Sequence, residues 1–286
     1  MRRIHLTLLA AALAVLSTEA PVLHAQDGKA ADAAKPVPEA LRPAVAEAEA
    51  WGRRIYLHDR AAWLVTDALF DTRKGKALMP RLGGWVTEEV DGGVRVIFVS
   101  NDATPVRVYE QVMRNDERLD DGVFESAEPL TAEHLAQLRA RETAGSQSFK
   151  PACAERYNAV SLKDGDGWRV YLMPGFSKVG VIPTGGYHRF DIDPSGRQVG
   201  AQRAFSRGCL DIEDDGGDSE RGRPVMTMVT HSLDPTPTEV HVFTSFHLKL
   251  PTAVMTSVEG GKPMTWIVQR GKIEFNGEPA TSPRRN

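Results

Sequence analysis

The densest run of side chains able to do chemistry is Thr230-His231-Ser232-Leu233-Asp234-Pro235-Thr236-Pro237-Thr238-Glu239-Val240-His241. Imidazole nitrogens suit zinc, and a catalytic zinc site takes three protein ligands and keeps a fourth position for water. His231 and His241, with Asp234 or Glu239, would supply such a set. The metal would bring the bound water's ionisation toward neutral pH, and the carboxylate would accept its proton. This chemistry requires the two imidazoles to converge. His231 is expected to end one strand. His241 is expected in the next, on the same face as Glu239 and Phe243, with the turn between them bringing the rings together.

Other polar clusters point more weakly to chemistry. Asp191-Ile192-Asp193-Pro194-Ser195-Gly196 has the opening spacing of a calcium loop. Such a loop closes on a bidentate Glu at its last position, where this chain has Gln202, so the segment reads as a hairpin turn. The acidic run Asp211, Glu213, Asp214, Asp215, Asp218 and Glu220 has no recognised ligand spacing and reads as a solvated surface loop. Thr184-Gly185-Gly186 lacks the Lys-Ser/Thr and the following helix of a phosphate loop. His188 is expected to be a partly exposed strand residue. His58 is expected on the inward face of a helix with a hydrogen-bond partner, and Asp59 faces elsewhere, so the two form no dyad. No G-x-S-x-G elbow, H-E-x-x-H zinc helix or G-x-G-x-x-G turn occurs.

The chain has two cysteines, Cys153 and Cys209. In an oxidising compartment the simplest reading of such a pair is a disulfide. Closing a loop of this length is worth about 4 kcal/mol in the chain-entropy account. The alternative is a reactive thiol with a histidine partner.

The elements that must position these residues follow from periodicity. Trp51, Ile55, His58, Ala62, Val65 and Leu69 recur at helical spacing, which predicts a helix from near Pro38 to near Asp71 with that stripe inward. Period two then takes over. Trp85–Val90 and Val94–Ser100 flank Asp91-Gly92-Gly93 as a hairpin, and Val106–Val112 alternates as a third strand. Thr131 caps a short helix running to about Thr143, with Glu133 favourable in its first turn. Beyond Gly145-Ser146-Gln147-Ser148 the pattern is mostly β. Strands are expected at 158–162, 168–173, 187–192, 199–205, 225–230, 239–246, 253–257, 265–269 and 272–275, largely antiparallel. The fold class is therefore α+β: an N-terminal helix with a small antiparallel sheet over 38–148, then a larger, mostly antiparallel β region over 149–277. The break near residue 148 marks either two domains or a loop within one fold.

Residues 1–25 have the layout of a secretory signal peptide. Arg2 and Arg3 precede an apolar run from Leu6 to Leu16, and Leu23-His24-Ala25 forms a small-residue cleavage site. That run is shorter than the ~20 apolar residues a membrane span needs, and no later segment reaches that length. A soluble periplasmic or secreted protein is the expectation. Residues 26–37 read as a flexible lead segment and 278–286 as a disordered tail. About 260 residues remain after cleavage, enough for a substantial core. The 286-residue chain carries 35 Lys and Arg against 38 Asp and Glu, interspersed, for a net charge of −3. It has no basic stripe of the kind that nucleic acid requires.

The His231–His241 stretch resembles the JAB/MPN metallopeptidase family, in which a strand ends in His-x-His-Pro and a Ser-x-x-Asp follows. His231-Ser232 matches the first element and Pro237-Thr238-Glu239-Val240-His241 the second, with Trp266-Ile267-Val268 as the later strand. Leu233 stands where the second His belongs, His241 where the Asp belongs, and no upstream Glu can be assigned. The resemblance implies a zinc-dependent hydrolase whose site is remodelled. The chain as a whole also resembles uncharacterised secreted proteobacterial proteins, through Gly52-Arg53-Arg54-Ile55-Tyr56, Asp59-Arg60-Ala61-Ala62-Trp63 and Pro237–Phe243. That resemblance implies no particular activity.

The leading expectation is an exported, non-catalytic binding or structural protein of the cell envelope, without cofactor, whose partner is a protein or a small ligand. The alternatives are the zinc hydrolase around His231 and His241, and an inhibitor or immunity-type partner of another exported protein that works through an exposed sheet edge.

Overall fold

The computed structural model describes residues 34–125, 128–176, 178–213, 225–257 and 261–278. The signal-peptide reading, residues 26–33 of the lead segment, residues 279–286 of the tail and most of the acidic run lie outside these residues. Of the lead segment, Lys35 donates its N–H to Phe275 O and Val37 packs against the core.

The helical stripe forms α1, Arg42–Asp71, and Ile55, His58, Ala62, Val65 and Leu69 are all buried along it. A short α2, Arg73–Leu78, follows; Thr72 caps it by accepting from Gly75 N–H. The predicted hairpin forms as β1, Leu82–Val90, and β2, Gly93–Ser100, with Val90 paired to Gly93 around Asp91-Gly92. Next come β3, Arg107–Arg114, and two short strands that both pair with it, β4, Arg118–Leu119, and β5, Val123–Phe124. α3, Ala132–Gly145, starts at Thr131 with a reciprocal cap. Thr131 Oγ1 accepts from His134 N–H, and His134 Nδ1 accepts from Thr131 N–H.

The β region is divided among three sheets rather than gathered into one. β6, Tyr157–Asp164, and β7, Gly167–Pro174, form a hairpin. β8, Val181–Pro183, leaves it to pair elsewhere, while β9, His188–Ile192, and β10, Val199–Ala204, complete a four-stranded sheet of order β10-β9-β7-β6. β11, Asp211–Glu213, pairs with β8. The last sheet runs β12, Thr227–His231; β13, Thr252–Thr256; β14, Met264–Gln269; and β15, Lys272–Gly277.

One predicted strand is a helix. Glu239–Ser245 forms α4, not the strand expected over 239–246. Its alternating Val240 and Val242 mimic period two, but the start is set by His241 Nδ1 accepting the Thr238 N–H at 3.0 Å. The consequence is topological. With a helical crossover between them, β12 and β13 pair in parallel, as strands joined this way do, while the rest of the sheet is antiparallel. His188 corrects a second expectation. It is fully buried, and Nε2 donates to Pro151 O at 2.8 Å.

α1 supplies one wall to three separate cores. Val45 and Ala48 near its start meet Val254 and Trp266 of the last sheet. Ile55 meets Val160, Tyr171 and Phe243. Ala61, Val65 and Leu69 meet Val94, Val96 and Phe98 of β2. α3 closes a further core on the opposite face of the second sheet, where Ala140 and Ala144 pack on Val170 and Phe190. Residues from Ala34 onward form one compact unit. Cys153 and Cys209 are joined in a disulfide.

α1 and α4 touch at Gly52. A Cβ there would lie 2.4 Å from Val242 Cβ and 2.7 Å from Glu239 O. Alanine favours a helix interior over glycine by up to ~1 kcal/mol, but overpacking a close contact costs about 1–3 kcal/mol. Gly52→Ala is therefore expected to lower the thermal midpoint; a rise would show that the two helices are not in contact here.

Candidate functional site

The predicted histidine pair does converge, but on protein partners. His231 Nε2 donates to Asp234 Oδ2 at 2.8 Å, and the same oxygen accepts from Arg203 Nη2 at 2.6 Å. His241 spends Nδ1 on the α4 cap, and its ring meets that of His231 edge to face at 4.8 Å. Burial, then the neighbouring His231, pushes His241 down to about 3. Asp234 ends below the usual carboxylate range: burial pushes it up, but His231 and Arg203 outweigh that. Glu239 is taken by Tyr171 and Arg189. Among the described residues no group of three or more His, Cys, Asp or Glu is placed to hold a metal ion. The arrangement is a hydrogen-bonded ion-pair cluster that locks α4 to the end of β12.

The calcium-like segment is a turn. Asp193 accepts from the backbone N–H groups of Ser195, Arg197 and Gln198 and from Ser195 Oγ. These hydrogen bonds, that of the Ser195 hydroxyl foremost, hold its carboxyl at about 2. Asp191 is paired with Arg189.

A larger feature lies where two sheets come edge to edge without pairing. β1 ends the first sheet and β6 ends the second. Outward carbonyls on both are met by side chains instead of a neighbouring strand. Gln137 Nε2 donates to Thr87 O at 2.9 Å and to Ser161 O at 2.7 Å, joining the two edges. Arg141 Nη1 donates to Trp85 O at 3.2 Å. Arg54 reaches Lys163 O while pairing with Glu89. His134, Gln137 and Arg141 sit three and four apart on α3, so one face of that helix tracks β1. His134 adds a bond from Nε2 to Glu88 at 2.9 Å.

His58 stands at the same junction. Nδ1 lies 2.7 Å from Thr87 Oγ1. Nε2 is 3.5 Å from Glu89 Oε1, at the limit of a useful hydrogen bond. Burial holds His58 below its ordinary value, so it is neutral at pH 7. This is the buried, partnered histidine expected from its place on the stripe.

On one side of this junction opens a cleft of about 490 Å³, floored by α1 between His58 and Thr66 and walled by β1 and β6. Its size suits a small organic molecule. Trp63, Phe176 and Val179 stand exposed at its mouth. On the other side lies a second, polar hollow whose Glu88, Glu89, His134 and Arg54 are already paired with one another or with neighbours.

The first cleft differs in leaving its charges unpaired. Asp59 has no hydrogen bond or ion pair among the described residues, and burial pushes its carboxyl up to about 6. Arg60 lies over the Trp63 ring at 4.9 Å, with Nε buried and unpartnered. Arg141 lies over Trp85 at 3.7 Å, and burial brings it down to about 10. His247 has an unpartnered buried Nε2; burial, then Arg60, brings it down to about 4. Desolvated charges without partners cost stability, and perturbed groups gathered in a cleft mark functional sites. The sequence offered a faint signal for Gln137 and Arg141 in the polar stripe of α3. For Asp59 it offered none, because Asp59 enters the cleft through neighbours distant in the chain.

No protein-family model matches the chain, and no curated protein or solved structure matches it either.

Asp59 makes the site testable through pH. Folded, it keeps its proton up to about pH 6, whereas its ordinary value is 3.8. Between those values the folded state binds more protons than the unfolded one, so stability falls as pH rises through this window and stays lower above it. Asp59→Asn removes that penalty. It is expected to raise the thermal midpoint at pH 7.5 and to raise it far less at pH 4. An equal shift at both pH values would show that the carboxylate is not desolvated.

Proposed function

We propose that this is an exported binding protein that holds a small, largely apolar molecule in the cleft between β1 and β6. The observation that carries this reading is the cleft itself: about 490 Å³, apolar at its mouth, and lined by Asp59, Arg60 and Arg141, which have no ion-pair partner among the described residues. A disulfide is compatible with an oxidising compartment, and among the described residues no helix is long and apolar enough to cross a membrane. Periplasmic or secreted location is part of the proposal and rests on the layout of residues 1–25.

Recruitment of a protein partner by strand addition at this junction is less well supported. Strand addition needs free edge carbonyls, and those of Trp85, Thr87, Ser161 and Lys163 already accept from side chains. A hydrolase at the histidine pair is less well supported too, because each ring is committed to a protein partner.

The test uses a neutral fluorescent probe, N-phenyl-1-naphthylamine. Its emission is expected to rise saturably with one site per chain. Asn158 is exposed on β6 and lines the cleft, so Asn158→Trp is expected to block the probe without shifting the thermal midpoint. Unsaturable binding, or equal binding to the variant, would overturn the proposal.

A further inference from the structure

The cleft is asymmetric in charge. Arg60, Arg141 and Lys178 line it against the single carboxylate of Asp59, and His58 and His247 are neutral at pH 7 because burial holds both down. An apolar wall with a cationic excess fits an anion carried on an apolar body.

Arg141 defines the shape of that anion. One nitrogen, Nη1, is used on Trp85 O, and one face of the guanidinium is covered by the Trp85 ring at 3.7 Å. Nε and Nη2 remain, and neither has a partner among the described residues. These two nitrogens share one edge of the planar fork and present parallel N–H groups. That edge is the geometry that a carboxylate accepts with both oxygens. The ring beneath and the bond to Trp85 O hold the fork in place before a ligand arrives, which cuts the ordering cost of binding.

We infer that the ligand is an apolar carboxylic acid, seated with its carboxylate on the Nε–Nη2 edge of Arg141 and its body against Trp63, Val160 and Phe176. This rests on the cleft being a binding site. It adds the chemical class of the occupant and names Arg141 as the residue that selects it. Two sources share this chemistry: a free organic acid, and the C-terminus of a peptide that ends in an apolar residue.

The experiment is competition against N-phenyl-1-naphthylamine on the full mature chain. Decanoate and 3-phenylpropionate are compared with decanol and 3-phenylpropanol. A short peptide ending in a free C-terminal phenylalanine is compared with its amide. Each acid is expected to displace the probe about tenfold better than its alcohol, the scale of one charge-assisted bidentate contact. Arg141→Gln is expected to erase that difference while still binding the probe, and Arg141→Lys to restore part of it. A preference for the free peptide over its amide, larger than that between acid and alcohol, identifies the peptide source; the reverse identifies the free acid. Equal competition by acids and alcohols in the unmodified protein overturns the inference while leaving the cleft a binding site. Should the probe fail to bind, the acids are titrated directly by calorimetry, and no heat of binding overturns both. Probe binding by Arg141→Gln shows that the variant is folded; if it is lost, Arg141→Met, an uncharged side chain of similar length, replaces it in the same comparison.

Discussion

The amide of Gln137 spans a gap that no backbone closes. It is buried, and its nitrogen donates to one carbonyl on β1 and one on β6. An open sheet edge carries a row of unpaired backbone groups, and each left unsatisfied in a buried place costs about 1–3 kcal/mol. Two such edges meet here without pairing. A side chain from α3 satisfies both, and Arg141 and Arg54 extend the same solution along the strands. The first two sheets keep their relative position at this junction because these donors hold it.

The cleft follows from that arrangement. Edges that paired would leave one continuous sheet with no room between its strands. Edges held apart by side chains leave a hollow on each side of the bridge. The polar hollow is filled with mutually paired charges, which makes it part of the scaffold. The other keeps Asp59 and Arg141 desolvated and Arg60 Nε buried, with no ion-pair partner among the described residues, although a fold under selection for stability alone would replace or pair them. That contrast between two neighbouring hollows of similar size is the physical argument for binding in one of them.

α1 ties the arrangement together. Its successive turns serve three cores in order, so the sheets are registered to one another through a single helix rather than through flexible linkers. Gly52 lets α4 pack directly on it, and the His231–Asp234–Arg203 cluster ties the other end of that crossover down. The histidines that looked most reactive therefore serve the scaffold.

Local signals in the chain were enough for α1 with its buried stripe, for the Asp91-Gly92 hairpin, for the Thr131 cap and for the Cys153–Cys209 pair, because each depends on neighbours in sequence or on a count of two. The Thr-x-x-His cap at Thr131 recurs at Thr238, yet the second was masked by alternating valines, and with it went the helix, the parallel pairing of β12 and β13, and the fate of His241. The burial of His188 is hidden from the sequence for a related reason: it comes from Phe149 and Pro151, which only the folded chain brings against it. The candidate site was beyond local reading altogether. Asp59, Arg141 and Ser161 lie on three elements far apart in sequence, and their chemistry arises from desolvation, which is a property of the assembled walls and not of any residue alone.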